Sequence, residues 1–327
     1  MTTLKFDEWQ DVGGTPVLRI NAGVLEAWDG SAWVPGGIPL TLEWLVVAGG
    51  GGGGGTGGAA GGAGGGAGGF RTSGREGAVA KSVGDSFTVT VGAGGAGGYL
   101  VAPGKGEDSV FDTFTSEGGG PAGWASSNTG GTGGSSGGGY ANVAYQYPLL
   151  PAGTANTAGA RQGNKGCNGM QSNSEPPGAG GGAGGEATTG DWDTNIGSAG
   201  GQGLTDGIIS GTLGTAESVG EVVDGFAFFG GGGGGAGGGG NGAGGIGGGG
   251  GGGAVNTVQN GQANTGGGGS GGRGGAGAGN GGSGVVILSL PEARSLSVGA
   301  GLVYANAQEN DRNIYIFKSG TGTVTVA

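Results

Sequence analysis

The sequence predicts a mostly β and irregular fold with little or no α-helix. The expected form is a bundle of polyglycine II helices capped by short β-strands, with an N-terminal β segment. Three observations predict it. Of 327 residues 102 are glycine, and they are concentrated: 6 lie in residues 1–40, 4 in residues 285–327, and the other 92 in the 244 residues between. Strand-like stretches adjoin the ends of the glycine runs. Within the runs, glycine recurs with a local period of three.

Taken in order, residues 1–40 form a first segment in which "PVLRI" and "GVLEAW" read as strands joined by the turn Asn21-Ala22-Gly23. Asp29-Gly30 is a second hairpin signal. The segment is too small to hold a core alone, so docking on a partner or trimerisation is expected. The body, residues 41–284, opens with "LTLEWLVVAGG". Leu40, Leu42, Trp44 and Val46 alternate with Thr41 and Glu43, and the stretch then turns apolar on both faces. That marks a strand entering a buried layer. "DSFTVTVGAGGAGG" and "DSVFDTFTSEGGG" repeat the scheme, with Phe111 and Phe114 expected in the core. "GSGVVILSLP" leaves a glycine run and enters a strand, opening the C-terminal β-strand region, 285–327. There "NIYIFKSGTGTVTVA" reads as a hairpin-like pair around Ser319–Gly322.

"GGSGGRGGA", residues 268–276, is three G-G-x triplets, and 129–139 and 60–69 carry the same pattern with slips. Three residues per turn is the period of the polyproline II helix. A glycine chain in that form exposes N–H and C=O laterally with no side chain in the way, so such helices can bond side by side. Non-glycine residues are then expected only where a face looks outward. Ordering a glycine costs roughly 0.5–1 kcal/mol more than ordering alanine, and a satisfied backbone bond returns about 0.5–1.5 kcal/mol. The terms are comparable, so nearly every amide must be paired. Collagen is excluded, because the glycines do not hold a strict every-third register and prolines number only 10.

The net charge of −11 disfavours nucleic acid and anionic bilayers as partners. No apolar run is long enough to insert in a membrane, and "MTTLKFDEWQ" is not a secretory signal. With no histidine, the G-x-S-x-G match at Gly133–Gly137 has no base to use. The P-loop pattern fails because Gly104-Lys105 is followed by glycine. Asp191, Asp193 and Asn195 start like a calcium loop, but Ile196 and Gln202 stand where that loop needs glycine and glutamate. No carboxylate pair stands out for glycoside hydrolysis. Cys167 cannot form an internal disulfide and is expected to be inert. The expectation is a protein that is not an enzyme, with no cofactor and no metal.

The interruptions between glycine runs are where recognition can sit, since loops on a rigid scaffold are a common binding design. The longest, 140–177, holds Tyr140, Tyr145 and Tyr147 within eight residues, followed by Arg161. Tyrosine among small polar residues has a paratope-like composition. Interruption 186–229 contains Trp192 and "GFAFFG", whose Phe226, Phe228 and Phe229 read as a plug on the bundle. Loop 254–265 is polar and amide-rich, and Trp124 lies in a short interruption. The candidate receptor-binding residues are therefore Tyr140, Tyr145, Tyr147, Arg161, Trp192 and Trp124.

"LEWLVVAGGGGGGG", "FTVTVGAGGAGG" and "SVFDTFTSEGGG" resemble the scaffold phrases of glycine-rich phage tail-fibre proteins. The opening "TLKFDEWQDVGGTPVLRI" resembles the N-termini of tail fibres from phages of aquatic bacteria, and the body is similar in kind to the distal adhesins of T-even-like phages. The resemblance implies a virion receptor-binding protein made in the host cytoplasm. Its first segment would attach to tail or baseplate proteins and its loops would grip a host surface glycan or outer-membrane protein. A homotrimer is expected, with a monomer as the alternative. A purely structural virion fibre, and less favoured a polysaccharide depolymerase, are the other readings. Unlike the T-even-like adhesins, this chain carries its own N-terminal segment and a C-terminal strand region.

Overall fold

The computed structural model describes residues 8–10, 16–21, 24–28 and 33–35, then 40–56, 61–124, 126–127, 129–140, 162–169, 176–191, 193–275 and 277–327. Four short strands, β1 (Glu8–Gln10), β2 (Pro16–Asn21), β3 (Val24–Trp28) and β4 (Trp33–Pro35), make an antiparallel meander in that order. The two strands expected on either side of Asn21-Ala22-Gly23 are β2 and β3, with Asn21 opposite Val24.

The strands that follow are β5 (Leu40–Val47), β6 (Gly54–Gly55), β7 (Phe70–Thr72), β8 (Val79–Lys81), β9 (Ser86–Val91), β10 (Gly98–Tyr99), β11 (Ser109–Phe111), β12 (Phe114–Ser116), β13 (Glu221–Val223), β14 (Phe226–Phe228), β15 (Val285–Pro291), β16 (Leu296–Val298), β17 (Leu302–Glu309) and β18 (Arg312–Val326). Among the described residues the helices are two short ones, α1 (Ser73–Glu76) and α2 (Gly211–Glu217). Ten strands form the main sheet, in the path β12-β11-β9-β18-β15-β5-β7, with β16 and β17 on β18 and β8 on β5.

Alternation along β5, β15 and β18 sends side chains to two cores. Trp44, Val46, Val286, Leu288, Tyr315 and Phe317 face one, together with Phe87, Val89 and Phe111. Leu45, Val47, Val285, Ile287, Ile314 and Ile316 face the other, together with Phe70 and Phe229. This is why these strands read as apolar on both faces. In the first core Phe87 meets Phe111 edge-on at 5.2 Å, and Trp44 lies 4.3 Å from Phe114. Phe111 is fully buried and Phe114 packs against the core half-buried.

The C-terminal expectation is corrected. β18 is one continuous strand of 15 residues, and Ser319–Gly322 lies inside it. The hairpin turn is Asn310-Asp311, both at positive φ (51° and 60°), joining β17 to β18 as two-residue hairpin turns require. Gly320 (φ 94°) is instead where β18 exchanges neighbours. Residues before it pair with β15 and β17, and those after it with β9 and β16.

Beyond Val47 the chain enters the bundle. Residues 48–54 donate with a strict period of three. Ala48, Gly51 and Gly54 bond to Gly69, Gly66 and Ala63, while Gly49 and Gly52 bond to Glu107 and Gly104, and Gly50 and Gly53 to Gly282 and Gly279. Partner numbers fall by three at each step, so these three neighbours run antiparallel. The carbonyls of 49 and 52 accept from Gly119 and Ala122, those of 50 and 53 from Gly95 and Gly98, and those of 51 and 54 from Gly269 and Gly272. Those three neighbours run parallel. One helix thus has six hydrogen-bonded neighbours, and segments 61–69, 230–236 and 266–272 are surrounded in the same way. This is the polyglycine II arrangement, three residues per turn with lateral bonding. It satisfies the backbone polar groups that glycine leaves exposed.

Glycine is required because neighbouring backbone occupies the side-chain site. A Cβ on Gly49 would lie 2.0 Å from the Ala93 carbonyl oxygen, and one on Gly53 would lie 1.9 Å from that of Ser270. The expectation that other residues appear only on outward faces is wrong. Ala63, Ala67, Ala179, Ala236 and Ser270 are all fully buried within the runs. A methyl or hydroxymethyl group fits wherever no neighbouring carbonyl crosses that site.

Candidate recognition end of the glycine bundle

The bonding register sorts the interruptions to two ends of the bundle. Segments 48–54, 92–98, 133–139, 162–169 and 266–272 run away from the sheet. Segments 61–69, 103–108, 176–183, 197–203 and 278–284 return towards it, whereas 230–236, antiparallel to 61–69, is another outward pass. The sheet end holds β7–β9, the β11–β12 hairpin, the segment 204–229 and β15–β18. The far end holds residues 99–103, 124, 126–127, 129–130, 191, 193–196, 236–241, 254–258, 273–275 and 277–278.

At the far end, β10 pairs parallel with β6, setting Tyr99 beside Gly55. Leu100 then turns at φ 54°, and Leu100 and Val101 stand 52% and 59% exposed. Residues 273–275 and 277–278 reach both sides of this feature. Gly277 lies under Tyr99, where a Cβ would be 3.8 Å from that of Tyr99, and Gly274 abuts Val255, whose Cγ1 would be 2.9 Å from such an atom. Val255 is 52% exposed. Arg273 donates from Nη1 to the Gly237 carbonyl at 2.7 Å, tying the turn to the 236–241 loop. Ile196, 41% exposed, packs beside Gly240. The far end therefore presents aliphatic and aromatic side chains on short turns held by backbone bonds.

Of the residues singled out from sequence, Trp124 is at this end, its backbone paired both ways with Ser127 at 2.8 Å. Tyr140 follows Gly139, which bonds to Cys167, and is also at this end. Burial raises the pKa of the Tyr140 hydroxyl, so it stays protonated. Tyr145, Tyr147, Arg161 and Trp192 lie outside the described residues. Gln162, next to Arg161, accepts from the Phe70 amide at the sheet end. The turn around position 192 is described on either side. Asp191 and Ile196 pair by backbone, and the Asp191 carboxylate accepts from the Thr194 hydroxyl and the Asp193 amide, in that order of effect lowering its pKa. Its ligand-like oxygens are thus committed to the turn. Among the described residues no group of three His, Cys, Asp or Glu is placed to hold a metal ion.

Two placements differ from expectation. Segment 204–229 is at the sheet end, where α2 and the β13–β14 hairpin cover the second core. Phe229 is buried there as expected of a plug, but Phe226 is 57% exposed. Tyr99, Leu100 and Val101 were not singled out from sequence. Their signal is three large side chains in an interruption without strand alternation, closed by Pro103. Cys167 is held between the Ala179 amide and the Thr188 carbonyl, and burial raises its pKa.

A glycine bundle docked on a β-sheet defines a glycine-rich domain. The chain belongs to the glycine-rich domain family, whose model matches residues 27–291. Comparison with curated proteins and with solved structures gave no match.

Proposed function

We propose that this chain is a phage tail-fibre adhesin, attaching a virion to a host cell through the loops at the far end of the bundle. The observation that carries the reading is the sorting of exposed loops to one end and of the sheet to the other. The N-terminal segment enters the body through β5 at the sheet end. On this reading the sheet end, where β5 begins, faces the virion and the far-end loops face the host. The partners are tail or baseplate proteins on one side and a host surface glycan or outer-membrane protein on the other. Weak single sites become firm adhesion when several fibres engage together.

The test is adsorption of labelled protein to a panel of bacteria, beside a variant with Leu100→Ser, Val101→Ser and Val255→Ser. These side chains are exposed, so the fold is retained. Saturable binding lost in the variant is the expected result. Binding that survives the change would move the site away from these side chains, and no binding to any strain would move the assignment to a purely structural fibre.

A further inference from the structure

The sequence contains four Asn-Gly pairs: Asn168-Gly169, Asn241-Gly242, Asn260-Gly261 and Asn280-Gly281. Asn-Gly is chemically the most labile asparagine linkage, because glycine puts no side chain in the path of its own nitrogen. That nitrogen attacks the asparagine Cγ, the Cγ–Nδ2 bond breaks and ammonia leaves. Water then opens the resulting succinimide at either carbonyl, giving aspartate or isoaspartate. The reaction needs water alone. It also needs a backbone nitrogen free to lose its proton and a chain free to bend into the five-membered ring.

The bundle treats the four pairs differently. Gly242 N–H is bonded to the Gly235 carbonyl at 2.9 Å, Gly261 to Asn280 at 2.8 Å and Gly281 to Gly95 at 2.8 Å. Two of these asparagines are also held by their side chains. Asn280 Oδ1 accepts from the Gly97 amide at 2.8 Å, and Asn260 Oδ1 accepts from the Asn280 amide at 2.9 Å. Each of these three glycine nitrogens is a rung of the lattice, with its proton engaged and its dihedrals fixed. Asn168 and Gly169 sit past the last rung of their pass. Cys167 is bonded on both sides, its amide to Ala179 and its carbonyl to Gly139. After it, among the described residues, nothing bonds the Gly169 N–H. Both Asn168 and Gly169 are half-exposed, so water reaches them.

We infer that Asn168 is a site of spontaneous deamidation in the folded protein, and that the glycine lattice protects the other three pairs. Conversion places a new carboxylate at the far end of the bundle, and the isoaspartate product lengthens the backbone there by one atom. The inference does not depend on the adhesin reading.

The experiment uses the full chain, aged in mildly alkaline buffer and mapped by peptide mass spectrometry, in parallel with a urea-unfolded sample. In the folded chain Asn168 is expected to convert many-fold faster than Asn241, Asn260 and Asn280. In the unfolded chain all four should converge to within a few-fold. A Gly169→Ala variant should suppress conversion at 168 only. Equal rates at the four sites in the folded chain, or a faster rate at any of the other three, would overturn the inference. So would an Asn168 that stays intact while the unfolded sample converts.

Discussion

Gly52 and Ala96 lie on adjacent, parallel glycine helices so close that a Cβ on Gly52 would sit 2.0 Å from the Ala96 carbonyl oxygen. Backbone stands where a side chain would be. The approach leaves room for Cα–H···O contacts, which add to the N–H···O bonds around the same helix. Glycine here is therefore a packing requirement. It is not a concession to flexibility.

A Gly52→Ala substitution cannot be absorbed by rotating a neighbouring side chain, because the obstacle is main chain. Overpacking in well-packed interiors costs about 1–3 kcal/mol, occasionally more, and this site falls at or above the upper end. Gly74, in α1, supplies the contrast, since the nearest atom to its Cβ site is 3.7 Å away and its φ is ordinary. Gly74→Ala is expected to be neutral or to stabilise by about 0.5–1 kcal/mol. Thermal unfolding of the two variants checks both, and equal effects would refute the packing account.

The phrase "GFAFFG" yields a second pair of substitutions. Phe229 is 1% exposed among Leu45, Val47 and Ile287, while Phe226, three residues earlier, points largely to solvent. Phe229→Ala should cost about 3–5 kcal/mol, as large aromatic deletions from cores do. Phe226→Ala should fall within about 0.5 kcal/mol of wild type. Chemical denaturation of both proteins measures the difference.

Much of this architecture is legible in the sequence because period and composition are local properties. The strand Ser86–Val91 and its passage into glycine can be read from "DSFTVTVGAGG", and the triplets from "GGSGGRGGA". What could not be read is which pass neighbours which. That depends on the register by which Gly51 finds Gly66 and Gly269, the latter across more than two hundred residues of chain. The sorting of Tyr99, Trp124 and Tyr140 to one end follows from that register alone. Buried Ala63 and Ala236 were misread for the same reason. Whether a methyl fits depends on where the next helix places its carbonyls.

Asp206 introduces a pH dependence of defined sign. Its carboxyl accepts from the Thr72 hydroxyl and the Ile208 amide. Burial nonetheless raises its pKa above the ordinary aspartate value, and the Glu43 charge adds a little in the same direction. An acid whose folded pKa is raised contributes stability below its unfolded pKa and loses it as pH climbs through the folded one. Wild type should therefore lose stability relative to Asp206→Asn as pH rises from about 4 towards 7. Melting temperatures of both proteins across that range test the sign. A wild-type Tm that holds constant or rises relative to that of Asp206→Asn over this range would show that Asp206 ionises freely in the fold.

Gly320 carries the last prediction. "KSGTG" has the composition of a turn, yet the chain passes straight through it, because β18 needs a bend where its neighbours change from β15 and β17 to β9 and β16. Gly320 supplies the bend with φ 94°, opposite Leu302 and close to the register break between Val303 and Tyr304. A Cβ there would lie 1.9 Å from the Gly301 carbonyl oxygen, so a side chain meets both a forbidden dihedral and a clash. Residues held in such glycine-only conformations cost on the order of 1–3 kcal/mol, and the clash adds to that. Gly320→Val is expected to exceed this range, whereas Thr323→Val, on an exposed position of the same strand, should be nearly silent. Hydrogen exchange along β18 locates the damage. Protection should fall on both sides of position 320, in the rungs to β15 and in those to β9, because one strand serves both halves of the sheet. Loss confined to the residues after 320 would mean that the two halves are held independently.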